Sequence, residues 1–254
     1  MRNLPFILML FIAFPAHAQW YVSNNGGVSG NGNLTAVWVV DDQTVFITTG
    51  DGSIYGSTDG GNNWSYVPTS TSNFFSDIVF TNSQTGIAIG NLALFLPVAY
   101  RTTDGGSTWT GVLQGISGLT NTLDRVVFPT AQIGYVVGSQ GMAYKTVNGG
   151  ATWSALSPGT TAHFIDLNFT DSDHGFIVAD DIGSKQLLRT SDGGLNWLSF
   201  LLPVTARRIR FFDAQHGYLL HTNLTLSETN DGGETWKLIG PLPVQFTSFY
   251  FADA

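Results

Sequence analysis

Three of the ten basic residues in this 254-residue chain, Arg207, Arg208 and Arg210, fall within four positions. Guanidinium groups engage carboxylates through a planar two-pronged fork, so such a cluster suits recognition of an acidic group. Strand alternation puts Arg208 and Arg210 on one face and Arg207 on the other. The chain around them is acidic, with 18 Asp+Glu and a formal net charge of −8. That balance argues against a nucleic-acid surface working by bulk charge. Cysteine is absent, which removes disulfide frameworks, thiolate metal sites and cysteine nucleophiles.

Catalytic chemistry has few residues to draw on. Only two glutamates occur, Glu228 and Glu234, whereas glycoside hydrolysis needs two carboxyls about 5 Å or about 6.5–9.5 Å apart. The DSDHG run at 171–175 resembles the start of a calcium loop but lacks the third ligand and the terminal Glu. Gly-rich 24–33 precedes a strand rather than a helix and is no phosphate cradle. Neither G-x-S-x-G nor H-E-x-x-H is present. The reading assigns no catalytic residue, no metal and no cofactor.

Five copies of one octapeptide organise the rest: STDGGNNW at 57–64, TTDGGSTW at 102–109, TVNGGATW at 146–153, TSDGGLNW at 190–197 and TNDGGETW at 229–236. Their tryptophans, Trp64, Trp109, Trp153, Trp197 and Trp236, are spaced by 45, 44, 44 and 39 residues. Upstream, Phe80, Phe128, Phe169 and Phe211 each precede a glycine by six positions. Each box reads as a tight hairpin loop. Asp59, Asp104, Asp192 and Asp231 supply an acceptor oxygen, and the paired glycines supply positive φ. Asn148 keeps the acceptor and loses the charge, which favours a structural role over a catalytic one. The closing Trp is large enough to wedge into the neighbouring unit's core.

Between boxes lie short Val-, Ile-, Phe- and Tyr-rich runs, in the third unit Leu123–Phe128, Gly134–Val137, Ala143–Thr146 and Trp153–Leu156. Four short strands every 40–45 residues, with no sustained helical period, predict β-propeller blades. The boxes then turn between third and fourth strands. Asp171, Asp173 and Asp213 fall in the first inter-strand turn. His174 and His216 share one repeat slot in separate blades, which argues against a shared metal.

The boxes, preceded by F-x5-G-x3-G, resemble Asp-box (BNR) repeats, most closely those of the photosystem II stability and assembly factor-like propellers, over about residues 35–251. Asp boxes are also found in sialidases, xyloglucan-degrading glycosidases and sortilin-like receptors. Gly86–Gly90 and Gly134–Gly138 match the upstream half, while Ala179 and His221 depart from it. The resemblance implies a non-catalytic protein-binding scaffold, with a basic patch on the propeller face that contacts a client. A photosynthetic role follows only for a photosynthetic host. The alternative is a carbohydrate-active propeller, hydrolase or glycan-binding module. Arg125, Arg189 and Arg208 would then stand for the sialidase arginines, although that family's Arg-Ile-Pro signature is absent.

Three positions before each anchor Phe stand Asp77, Arg125, Asp166 and Arg208, and Ser248 before Phe251. Equivalent positions meet around a propeller's channel, so this column is expected to form an inter-blade ring of alternating charge. Its sharper reading is a channel mouth, with Arg125, Arg207, Arg208 and Arg210, that binds a partner's acidic tail or surface complex. At the N-terminus, Arg2, the apolar run 6–14 and A-H-A at 16–18 read as a secretory leader cleaved after Ala18. The run is too short to span a membrane. The mature propeller, 19–254, is expected to be a monomer, secreted, periplasmic or on the cell surface. The lack of cysteines in an exported chain points to a bacterial host. Trp20–Ser23 and Val244–Phe251 supply parts of a closing blade without its middle strands. Five complete repeats are therefore expected from a propeller of six or more blades, incomplete at its C-terminal end.

Overall fold

The computed structural model describes residues 33–69, 73–92, 96–113, 121–181 and 184–241. The segments expected to be a leader and closing strands, and Ser248, lie outside them. Short β-branched and aromatic runs, cut by turn residues, form five antiparallel four-stranded sheets. The first holds β1 (Leu34–Val39), β2 (Val45–Thr49), β3 (Ile54–Ser57) and β4 (Ser65–Val67). The second holds β5 (Asn73–Phe80), β6 (Gly86–Leu92), β7 (Leu96–Thr102) and β8 (Thr110–Leu113). The third holds β9 (Leu123–Val127), β10 (Gly134–Gly138), β11 (Ala143–Thr146) and β12 (Ser154–Ala155), so its outer strand is shorter than the predicted 153–156. The fourth holds β13 (His163–Phe169), β14 (Gly175–Asp181), β15 (Ser184–Thr190) and β16 (Leu198–Leu201). The fifth holds β17 (Ala206–Phe211), β18 (Gly217–His221), β19 (Thr225–Thr229) and β20 (Lys237–Pro241). Each sheet is a simple meander, and the first strands β1, β5, β9, β13 and β17 neighbour one another in turn. This is an all-β propeller of four-stranded blades. Its helical content among the described residues is one 3-10 turn, Ser139–Gly141.

All five boxes close the third-to-fourth strand hairpins, and all ten paired glycines have φ between 63° and 89°. In the second box the Thr102 hydroxyl donates to Asp104 Oδ1 (2.7 Å) and accepts the Gly106 N–H (2.9 Å). Asp104 then accepts the backbone N–H and the hydroxyl of Thr108 (2.9 and 2.6 Å). In the third box the Asn148 amide reverses one bond and donates to Thr152 Oγ1 (2.8 Å). The amide therefore preserves the loop, as the structural reading requires. The first box glycine of each blade donates to the turn between that blade's first and second strands, as Gly105 does to Gln84 O (2.9 Å). Those turns are themselves braced by Asp41, Asn82, Thr130, Asp171 and Asp213, each accepting two following backbone N–H groups. The DSDHG run is one of these turns.

Packing between blades is side-chain work, because the ladders run within each sheet. Phe169 lies flat on Tyr135 of the preceding blade (centroids 3.6 Å, 7°) and meets its own blade's Trp197 edge-on (6.4 Å, 89°). Phe211 does the same with Phe176 (3.5 Å) and Trp236 (6.1 Å), and Phe80 with Phe46 (4.5 Å) and Trp109 (5.9 Å). Phe128 meets Trp153 (6.0 Å) in a core where Ile87 replaces the second ring. Trp109, Trp153, Trp197 and Trp236 thus occupy cores shared by two blades, yet the ring each touches belongs to its own blade. Each anchor glycine is explained by the same ring: a Cβ on Gly175 would overlap Phe169. The first blade departs from the pattern, pairing Val39 with Val45 where the second, fourth and fifth pair Phe with Gly. A Cβ on Gly90 or Gly138 would overlap the carbonyl of Phe74 or Thr122. Ala179 and His221 stand at the corresponding pairings, and buried His221 bonds Ser227 Oγ (2.8 Å) through Nε2.

The Thr108 hydroxyl and backbone N–H hold the Asp104 carboxyl at about 2, and the Asn196 side-chain amide and backbone N–H hold Asp192 at about 2, against an ordinary 3.8. Depressed folded values mean that this stability is complete above about pH 4 and is lost as pH falls towards 2. Thermal melts across that window should drop steeply. Asp104→Asn and Asp192→Asn together should flatten the drop while leaving the loops formed, as Asn148 does.

Candidate functional site

The boxes sit at the end of the blades where first strands finish, and the arginine cluster sits towards the opposite end, where β17 begins. Asp166 is its centre and is buried, at 1% exposure. One oxygen pairs with Arg125 Nε of the preceding blade (3.3 Å), and the other with Arg210 of the following blade (3.5 Å). The second oxygen also accepts the Ile209 backbone N–H (2.8 Å). A carboxylate thereby spans three consecutive first strands.

The alternating ring expected from sequence is only partly formed. Arg208 makes no ion pair with Asp166 among the described residues; its guanidinium donates to Arg207 O (2.9 Å). Arg210 takes the Asp166 oxygen instead, although the register shift between Ala206 and Arg208 recurs at the equivalent place in the other four blades. Asp77 is likewise committed to backbone, accepting Ile78 N–H (3.0 Å) and, across the blade boundary, Val126 N–H (3.1 Å). Burial pushes its carboxyl up to about 6, against the pull of Arg125. Asn168 repeats this pin, accepting Phe211 N–H (2.6 Å). Beside the cluster His163 bonds Asp124 of the preceding blade (2.7 Å), which raises the imidazole's pKa.

Arg125 and Arg210 therefore share one carboxylate, and Arg208 stands within electrostatic reach of it and of Arg125, Arg207 and Arg210. Burial, and then the neighbouring Arg125 charge, depress the pKa of Arg208. Arg207 and Arg208 have no carboxylate partner among the described residues. Such a site can take an oxyanion or carboxylate from outside. The groups named for catalysis do not converge here. Arg189 is held at the box end by Gly232 O (3.0 Å) and Glu234 (2.9 Å), far along the blade from Arg125 and Arg208. Glu228 pairs with Lys237 (2.9 Å). His174 and His216 bond Asp171 and Asp213 within their own turns, and no metal-ligating group of three occurs among the described residues. An open depression of about 520 Å³ between Gly141 and Leu156–Thr161 carries hydroxyls and no titratable side chain.

A second cationic column went unread in the sequence. Arg101, Lys145 and Arg189 each precede a box Thr by one position, and each donates to the first box glycine's carbonyl in the next blade (2.8, 2.9 and 3.0 Å). The fixed offset from the box was the signal. Gly56 and Glu228 occupy the same offset in the first and fifth blades and cannot donate this bond.

No protein-family model matches the chain. It is 34% identical over 88 residues to photosystem II assembly lipoprotein Ycf48 of Synechococcus sp. (strain CC9902), a match covering 32% of this chain and 25% of that relative. The matched stretch is thus a quarter of the relative's length. A solved structure of Ycf48 bound to D1 peptide superposes with a TM-score of 0.56 at 15% identity, covering 82% of this chain and 81% of that one. The GH74 enzyme of Niastella koreensis superposes with a TM-score of 0.62 at 20% identity, covering 76% of this chain and 35% of that one. At such identities the superpositions speak for the fold, and the chain is a β-propeller resembling Ycf48. No helix among the described residues is long and apolar enough to cross a membrane.

Asp166→Ala strands two guanidinium groups and a backbone N–H, and should cost about 3–5 kcal/mol in urea unfolding. Asp77 binds its proton more tightly folded than unfolded, so its contribution is complete below about pH 4 and lost as pH rises through about 6. Asp77→Asn should remove that slope, read as melting temperature between pH 4 and 7.

Proposed function

We infer that this chain is a non-catalytic, protein-binding scaffold, exported by the leader at 1–18, whose arginine cluster captures an acidic segment of a partner. One observation carries the reading: Asp166 is shared by Arg125 and Arg210, which leaves Arg207 and Arg208 over for an external carboxylate. Guanidinium groups crowded by like charge favour an added anion, and the fork geometry selects carboxylate. The likeness to Ycf48, one structure of which holds a D1 peptide, supports a peptide as the form of that ligand. A photosystem II client applies only in a photosynthetic host. The second reading, a carbohydrate-active propeller, draws on the likeness to the GH74 enzyme. Against it stand the prior engagements of Glu228, Glu234 and the box aspartates.

The test is capture of a peptide ending in consecutive Asp and Glu residues by the purified chain. Arg207→Ser with Arg208→Ser should weaken capture about tenfold or more, the loss of one or two charge-assisted contacts. Salt should weaken the wild type by screening. Melting should stay within about 1 kcal/mol of wild type, since neither side chain holds Asp166. Undiminished binding by the double variant would remove the cluster from the mechanism. Release of oligosaccharide from xyloglucan would instead establish the second reading.

A further inference from the structure

His163 opens β13 at the arginine end, and its Nε2 lies 2.7 Å from Asp124 Oδ2 of the preceding blade. The imidazole is half-exposed. A carboxylate can only accept, so Nε2 carries the ring's proton and Nδ1 is left bare. Nδ1 has no partner among the described residues. Strand register decides what this ring stands beside. β13 pairs His163 with Asp180, Phe164 with Ala179 and, after a one-residue shift, Asp166 with Val178. His163 and Asp166 are thus two ladder positions apart on one face, about 7 Å along the strand. Both reach back to β9, Asp166 to Arg125 and His163 to Asp124. His163 therefore stands one same-face step outward from the carboxylate that engages Arg125 and Arg210.

Resting on the reading of the arginine cluster as a site for an acidic segment, we propose that His163 is a further recognition residue of that site, offering Nδ1 to the partner's carboxylate and holding it only as the imidazolium. Neutral, Nδ1 presents a lone pair that repels a carboxylate; protonated, it becomes a charged donor. The bond to Asp124 raises the imidazole's pKa from its ordinary 6.5, into a range where ligand carboxylates stay ionised. Every strand packed against β13 is accounted for. β9 brings Asp124 and Arg125, and β17 brings Arg207, Arg208 and Arg210. β14 brings Asp180, which pairs with Lys185 of β15. The Ser139–Gly141 turn brings no charge, and the titratable side chain of β10, Tyr135, bonds Gly193 at the box end.

Affinity for the peptide ending in consecutive Asp and Glu residues, measured at fixed salt from about pH 5.5 to about pH 8.5, tests this. Asp77 also titrates at about 6 within reach of Arg125, so every chain compared carries Asp77→Asn. With His163 present, affinity should fall about threefold to fivefold as pH rises through the imidazole's range, the worth of one exposed charge pair. His163→Gln should show no such fall. Asp124→Asn should keep the fall and move its midpoint to lower pH, because the carboxylate that holds the proton is gone. A purely structural tie between the blades would move no midpoint. A fall that persists in His163→Gln, or a flat profile with the histidine present, overturns the inference and leaves the arginine reading standing. Failure to capture the peptide at any pH overturns both.

Discussion

Phe169 rests on Tyr135 of the blade before it with centroids 3.6 Å apart, and it can do so because Gly175 beneath it has no Cβ. The backbone ladders satisfy each sheet internally and bind no sheet to the next. Lateral cohesion comes mainly from side chains buried between blades, to which aromatic pairs add about 0.5–1.5 kcal/mol each beyond burial. The anchor Phe, its glycine, the aromatic or aliphatic residue of the preceding blade and the box Trp form one unit, repeated with variation at each boundary. The low charge content is a consequence: strands packed on both faces have little room for ions.

Around those apolar joints the few charges act as pins rather than as a solvated coat. Arg101, Lys145 and Arg189 reach forward to the next blade's box, and Asp77, Asp166 and Asn168 reach forward to the next first strand. One set secures the box end, the other the channel. At the channel the pinning is unbalanced in favour of cations. The packing device at Asp166 engages Arg125 and Arg210 and leaves Arg207 and Arg208 without a carboxylate partner among the described residues. Truncating Asp166, which holds two strands to its own, therefore differs in kind from truncating Arg208, which does not pair with it.

Much of this was legible in the residues. The octapeptide period located every third-to-fourth strand hairpin, and the paired glycines foretold positive φ at all ten positions. The turn assignment of Asp171 and Asp213 and the structural role of Asn148 followed from repeat register. The partnering of the arginines was not legible, because the pattern along the chain does not say whether Arg208 or Arg210 reaches Asp166. The forward reach of Arg101, Lys145 and Arg189 was visible as an offset, but nothing in the offset says that the next blade's carbonyl lies within reach.

Sequence by itself determined the blade, its period, its turns and the identity of the residues at each boundary. Those properties are local, set by strand propensity, glycine conformational freedom and hydrogen bonds spanning four residues or fewer. Tertiary structure alone decided which charges pair and which box carbonyls receive cations. These depend on distances between residues some 40 positions apart, such as the 43 separating Asp166 from Ile209. A bulge or a twist shifts such distances without altering the pattern along the chain.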